Sequence, residues 1–226
     1  MKSFLALICG TIFAQVAFGA MVDFEDLSVG DSGLTLSSGD ANFSVSGQGN
    51  AGTNSGGIAS VVGTRELMIF DADCSGGPAG NCSGGDTDLY FPGVGNILII
   101  SEDNDGNDPD DSRFGGDVLV DFNDNIVSIV SLVLDADEDI TVTAFLNGAT
   151  VGGPEVISTG NGGAAMTSFT INTEADQLLF HFNGSGAIGS IDYTVVPIPA
   201  AAWLFATGLI SFYGLGRRTY TSQVYT

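Results

Sequence analysis

The fold class of this chain follows from residues 117–146, which read DVLVDFNDNIVSIVSLVLDADEDITVTAFL. Within this stretch, Asp117–Phe122 and Asp139–Leu146 alternate apolar and polar residues, and Ile126–Leu134 is rich in Val, Ile and Leu. A period of two predicts strands that turn one face toward a core and the other toward solvent. We therefore predict three successive strands, separated by runs of Asp and Asn that favour turns.

Segments of the same kind occur on both sides of this stretch. We find no helical period between residues 22 and 194 and no repeat at a fixed spacing. Nine or ten short strands predict an all-β fold, an antiparallel β-sandwich. The further predicted strands are NFSVSG (Asn42–Gly47), RELMIF (Arg65–Phe70), NILIIS (Asn96–Ser101), TSFTIN (167–172), DQLLFHF (176–182) and IGSIDYTV (188–195).

The charge of the chain is extremely one-sided, with 27 Asp and Glu against 5 Lys and Arg. All the acids lie between Asp23 and Asp192, where Arg65 and Arg113 are the only cations, so this region carries a formal charge of −25. A surface of this sign repels nucleic acid and anionic membranes. It suits a medium in which salt or divalent cations screen the repulsion.

The first 20 residues have the layout of a secretory signal peptide: Lys2, an apolar run and then small residues. Cleavage is expected near Gly19 or Ala20, and Cys9 then belongs to the discarded segment. A membrane anchor is the alternative. The acidic β-sandwich domain is predicted to occupy residues 21–194.

The last 32 residues, 195–226, have the layout of a membrane segment. The apolar core Ala200–Leu215 would form about 24 Å of helix at ~1.5 Å per residue, which spans a membrane with the help of its flanks. A basic pair after it would hold the cytoplasmic side. A buried core helix is the alternative. The flanking residues are Pro197 and Pro199 before the helix and Arg217 and Arg218 after it.

Together, VPIPAAAWLFATGL and GLGRR resemble a PEP-CTERM sorting signal, in the variant with Val-Pro-hydrophobic-Pro-Ala. Ile198 replaces the Glu of the founding Pro-Glu-Pro motif, and TYTSQVYT extends beyond the arginines. The resemblance implies recognition by an exosortase, a membrane cysteine protease of Gram-negative bacteria. Cleavage near Pro197 and Pro199 would then hand the protein to the cell surface or extracellular matrix.

A weaker resemblance lies in VDFEDLSVG and GSGAIGSIDYTVVP, near the two ends of the domain. They are similar to the small secreted β-sandwich domains that often precede such signals and that resemble jelly-roll carbohydrate-binding modules. In those modules, acidic groups near the first and last strands often bind a structural calcium ion. The resemblance implies that role for Glu25 and Asp192.

The two cysteines that remain after signal removal, Cys74 and Cys82, are eight positions apart in a Gly-rich loop. In an exported protein a disulfide is the default expectation. A thiolate metal site is the alternative, but it would lack a nearby histidine.

Three acidic loops are candidates for calcium, which takes six to eight oxygen ligands, whereas solvated turns are the alternative in each. The run DADED at Asp135–Asp139 is predicted to be a hairpin turn. SEDNDGNDPDD (Ser101–Asp111) is the densest acidic run, but it lacks the Glu that an EF-hand needs at its last position. The candidate ligands are Asp71, Asp73, Asp86 and Asp88 around the cysteine loop, and Asp103 and Asp105 in the dense run.

No catalytic constellation is evident, and His181 is the only histidine. We therefore predict no enzyme but an exported structural or adhesive surface protein, stabilised by calcium. The alternative is a module that binds exopolysaccharide, for which Tyr90, Phe91 and Tyr193 are the candidate aromatic platform. A glycoside hydrolase or lyase, built on paired carboxylates, is the third hypothesis.

Overall fold

A computed structural model describes residues 18–46, 65–73, 89–106, 110–123, 127–136, 138–158, 166–196, 205 and 207–209. Residues Phe18–Val196 form one compact unit. Among the described residues, no helix has the length and apolar character needed to cross a membrane. Most of both predicted terminal segments, with Pro197, Pro199, Arg217 and Arg218, lies outside the described residues, so both remain predictions.

The compact unit contains two antiparallel sheets. In sheet A the order is β11-β8-β14-β6-β5-β2, with β1 added to β14 and β12 added to β8. Its strands are β1 (Gly19–Val22), β2 (Ser32–Gly33), β5 (Leu67–Asp71), β6 (Asn96–Ile100), β8 (Val127–Ala136), β11 (Met166–Phe169), β12 (Glu174–Ala175) and β14 (Gly186–Val195).

Sheet B has six strands in the order β10-β9-β13-β7-β4-β3. Its strands are β3 (Thr35–Ser38), β4 (Ala41–Ser46), β7 (Gly116–Asp121), β9 (Ile140–Leu146), β10 (Ala149–Ile157) and β13 (Gln177–Phe182). The predicted antiparallel β-sandwich is confirmed.

The main core lies between the sheets and consists of the alternate apolar residues that the period of two predicts. In sheet B, Phe43, Val120 and Phe180 are at most 1% exposed. Aromatic pairs hold the layers together: Phe24 lies 5.1 Å from Phe43, measured between ring centroids.

A second core covers the outward face of sheet A at β5 and β6. Met68, Phe70, Ile97 and Ile99 from β5 and β6 belong to it, and Phe91, from the segment between these strands, packs against it. Both faces of β5 and β6 are therefore buried. This explains why their sequences, LMIF and ILII, are continuously apolar and do not alternate.

The prediction that DADED forms a hairpin turn is wrong. β8 ends at Ala136 in sheet A, where it pairs with β14, whereas β9 begins at Ile140 in sheet B, between β10 and β13. Asp135 is therefore still part of β8, whereas Glu138 and Asp139 belong to a connection between the two sheets.

Candidate functional site

The outward face of sheet B carries a regular array of polar side chains, which we call the polar face. The inward residues of these strands are buried in the main core, so the alternate residues turn away from it. The polar face includes Thr35, Ser37, Asn42, Ser44, Ser46, Asp117, Leu119, Asp121, Thr141, Thr143, Phe145, Gln177, Leu179 and His181.

Strand register arranges this face in rows. Asn42, Asp121, Gln177 and Phe145 lie opposite one another across four strands. The neighbouring row brings two apolar side chains together at the centre of the sheet, because Leu119 lies opposite Leu179. Apolar and polar groups thus alternate across the face within a few ångströms.

Hydrogen bonds between strands fix several of the polar groups. The side-chain amide of Gln177 donates to Asp121 over 2.7 Å. His181 Nδ1 lies 2.6 Å from Asp117 Oδ1, which fixes the exposed imidazole beside a carboxylate. These side chains are therefore held in place before any ligand arrives, and this lowers the ordering cost of binding.

A buried arginine lies two residues before β5, near acids of the dense run. Arg65 is 1% exposed, and its guanidinium lies 5.1 Å from the centroid of the Phe114 ring. Arg113 approaches the same ring, at 4.6 Å, but is exposed. Both cations of residues 21–194 therefore meet at one aromatic ring.

The electrostatic surroundings of Arg65 combine burial with opposite charge. Desolvation lowers the pKa of Arg65, and Arg113 adds to this, whereas Glu102 and Asp110 oppose it. Because an arginine stays protonated in proteins, Arg65 is a permanent internal cation. Glu102 is only 7% exposed, so the guanidinium balances a carboxylate that is itself largely buried.

The dense acidic run is thus not simply a solvated turn. Ser101 and Asp111 are buried and form an isolated antiparallel bridge, and the Asp111 carboxylate accepts a hydrogen bond from the amide of Gly186. Gly106 has its own structural reason: a Cβ on this residue would lie 3.0 Å from the carbonyl oxygen of the facing Gly30.

The two calcium candidates of this run, Asp103 and Asp105, form a local turn. Asp103 Oδ1 accepts a hydrogen bond of 2.9 Å from the amide of Asp105. In the same way, Asp71 Oδ1 accepts from the amide of Asp73 at 3.0 Å, and Asp73 accepts from Gly93. Asp86 and Asp88 are the predicted calcium ligands that would join Asp71 and Asp73. They lie outside the described residues, as do Cys74 and Cys82.

Glu25 and Asp192 occupy different settings. Glu25 Oε1 accepts a hydrogen bond of 2.7 Å from the amide of Asn96, at the start of β6. Gly95, with φ of +79°, makes room for that carboxylate. Asp192 lies in β14 opposite Met21 of β1. Across the ranges that the structure describes, no group of three or more His, Cys, Asp or Glu side chains is placed to hold a metal ion. Calcium therefore remains a prediction.

Two of the three candidate aromatic residues are not a surface platform. Tyr193 is 2% exposed and packs 5.1 Å from Phe122, and burial, followed by the Asp40 carboxylate, raises its pKa. Phe91 packs against the second core. Tyr90 is 38% exposed.

No family model matches this chain, and no curated protein matches it. Solved structures do match. A mutant of a family 29 carbohydrate-binding module is 14% identical, covering 68% of this chain and 91% of that one with a TM-score of 0.30. The C-terminal domain of a chitobiase from Bacteroides fragilis is 15% identical, covering 57% and 93% with a TM-score of 0.32.

Discoidin II from Dictyostelium discoideum is 11% identical, covering 59% of this chain and 55% of that one with a TM-score of 0.31. All three are β-sandwich domains of the kind that the weaker resemblance names. At these TM-scores the similarity carries no argument about what this chain binds.

Proposed function

We propose that this protein is an exported, non-catalytic domain of the cell surface or extracellular matrix that binds polysaccharide through the polar face. The observation that carries this proposal is the arrangement of the face. Hydroxyl, amide and carboxylate groups, several of them fixed by hydrogen bonds, flank the apolar pair Leu119 and Leu179. A sugar ring presents the matching combination of C–H groups and hydroxyls, and binding sites commonly combine apolar surface with a few placed polar groups.

In this proposal the sugar ring packs against the aliphatic side chains of Leu119 and Leu179 and not against an aromatic platform. Phe145, in β9, lies in the row of Gln177 and is the one Phe, Tyr or Trp of the face. The two carboxylates of the polar face, Asp117 and Asp121, would accept hydrogen bonds from sugar hydroxyls. Arg65 and Arg113 lie outside the strands that form the face, so a neutral glycan suits it better than an acidic one.

The test is retention of the purified protein on immobilised neutral polysaccharides, followed by calorimetry with soluble oligosaccharides. Removing the amide in Gln177→Ala should weaken binding about five-fold, which corresponds to about 1 kcal/mol for one hydrogen bond. Ser168→Ala, at an exposed position on β11 of sheet A, is the control and should bind like the wild type. Equal binding by both variants would place the ligand elsewhere.

Absence of retention on every glycan would favour the structural or adhesive role without a glycan ligand. Shortened glycan products after incubation would instead favour the glycoside hydrolase or lyase. Both outcomes contradict the proposed binding function.

The delivery route that we propose is the PEP-CTERM pathway, with an exosortase as processing partner. The motif VPIPA, the apolar segment and Arg217–Arg218 support it. The protein would touch the inner membrane only through that segment, until cleavage releases it to the surface or matrix. Mass spectrometry of the surface form from a Gram-negative host with an exosortase should show a new C-terminus near Pro197 or Pro199. An intact C-terminus would contradict this route.

We include calcium in the proposal as an ion that stabilises the fold and not as a participant in a reaction. Asp71, Asp73, Asp103 and Asp105 each lie in or next to a turn and offer carboxylate oxygens. A complete ligand set would need further oxygens, from backbone carbonyls or from acids such as Asp86 and Asp88.

A further inference from the structure

A small pocket opens at the side of the sandwich, away from the polar face. It has a volume of about 200 Å³ and lies between β9, β10 and residues 170–173. Its floor reaches the main core, because Val142, Ala144 and Ile171 are at most 6% exposed. Its rim is polar and is formed by Glu155, Thr170, Asn172 and Thr173.

An irregularity of the edge strand β10 creates this opening. Val151 pairs with Ala144 and Glu155 with Val142, so three residues of β10 lie opposite one residue of β9. Such a bulge bends an edge strand and re-aims its side chains, and bulges are frequent next to functional sites. The bulge contains Gly152, with φ of +71°, and Gly153; a Cβ at either would meet no atom within 4 Å.

The volume sets the size of the occupant. A protein cavity of about 150 Å³ accommodates benzene, so about 200 Å³ accommodates one six-membered ring with several substituents. A second ring would extend beyond this volume. The pocket therefore suits a single monosaccharide-sized unit and not the interior of a polymer.

The chemistry of the lining sets the class of the occupant. The apolar floor suits the C–H face of a ring, whereas the rim offers hydroxyl, amide and carboxylate groups. Within the described ranges, the side chains of Glu155, Thr170, Asn172 and Thr173 make no hydrogen bond to protein, so their bonding capacity is available at the mouth. Glu155 and the large negative charge of the domain disfavour an anionic ligand.

We propose that this pocket binds the ring of one uncharged hexose, either as a free monosaccharide or as the terminal residue of a glycan. The site is separate from the polar face, which would bind the interior of a chain. It does not depend on the function proposed for that face.

The experiment is amide chemical-shift mapping of the full-length protein with glucose, galactose and mannose, alongside glucuronate and phenol. We expect weak, roughly millimolar, binding of at least one hexose. The shifts should cluster at residues 151–155 and 170–173. Glucuronate should bind more weakly because of Glu155, and phenol should bind more weakly because the rim hydroxyl and amide groups find few partners on it. Oligosaccharides ending in the same hexose, compared with the free sugar, distinguish a chain end from a monosaccharide.

Two variants probe the pocket in different ways. Gly153→Leu places a side chain in the open bulge and should reduce hexose affinity at least ten-fold, whereas Asn172→Ala removes a rim amide and should reduce it several-fold. Ala149→Leu is the matched control, since it adds a side chain to an exposed position on the same strand outside the pocket.

Several results would overturn the proposal. These are shifts confined to the polar face, no shift at the pocket with any hexose, tighter binding of glucuronate or phenol, or unchanged affinity in both Gly153→Leu and Asn172→Ala. Loss of polysaccharide retention with pocket binding intact would remove only the function proposed for the polar face.

Discussion

Replacing Arg65 by Met should destabilise the domain more than any other single loss of charge in it. Methionine keeps much of the side-chain volume but removes the cation. Glu102 would then keep a largely buried carboxylate whose Oε1 has no hydrogen-bond partner among the described residues. Removing one partner of a buried charge pair costs about 3–5 kcal/mol, because the other charge stays buried without compensation.

The expected shift of the melting temperature follows from domain size. For 150–250 residues, 1 kcal/mol corresponds to about 2–4 °C, so Arg65→Met should lower Tm by roughly 6–20 °C. Arg113→Met is the matched control, since Arg113 approaches the same Phe114 ring but is exposed. Losing the Arg113 guanidinium should reduce the free energy of unfolding by about 0.5–1 kcal/mol, the value for an exposed cation–π contact.

The assay is urea unfolding at neutral pH, with thermal unfolding as a second measurement. The double variant Arg65→Met/Glu102→Gln should recover part of the loss, because it removes the uncompensated charge as well. If Arg65→Met costs no more than Arg113→Met, or if the double variant is less stable than the sum of the single changes, the internal-cation argument is wrong.

Three other predictions concern an acidic side chain, calcium and the cysteine pair. Hydrogen bonds from Ser38 and Gly39 lower the pKa of Asp26 below its ordinary 3.8, so Asp26→Asn should reduce the free energy of unfolding at neutral pH. The difference should be complete above the unfolded value of about 3.9 and vanish as the pH falls through the lowered pKa, as acid titrations of both proteins would show. Calcium should raise Tm more than sodium chloride of matched ionic strength, and equal shifts would contradict calcium binding. Alkylation with and without prior reduction, followed by mass spectrometry, should show Cys74 and Cys82 joined; free thiols in the exported protein would contradict the disulfide.

The alternation of apolar residues predicted most of the longer strands because a two-layer fold buries every second residue. It did not predict β10, since Gly152, Gly153 and Pro154 interrupt the pattern where the strand bulges. It did not predict β1 either, because Gly19 and Ala20 also fit the end of a signal peptide. Both omissions have local causes that the hydrophobic periodicity does not reveal. The short strands β2, β3 and β12 were not predicted either.

The sites were harder to predict than the strands. The polar face depends on which residues of separate strands lie opposite one another, and register is set by long-range pairing. Arg65 did carry a signal in the sequence, as one of two cations among 27 acids, at the start of a continuously apolar strand. A lone cation beside a buried strand indicates an internal counter-charge for nearby acids.

The acids of this domain are 21 Asp and 6 Glu, and this preference for Asp has a structural cause that does not require an ion. A carboxylate of Asp reaches the backbone amide two residues ahead, which the longer Glu side chain does less well. Such turns close at Asp23, Asp71, Asp103 and Asp121. In each turn, one carboxylate oxygen of the Asp already accepts a hydrogen bond from the backbone amide two residues ahead. Asp-x-Asp spacing arises simply when the residue that carries this amide is also Asp. Asp-x-Asp alone therefore does not indicate calcium, and a calcium-specific rise in Tm would have to come from ligands that the turns leave available.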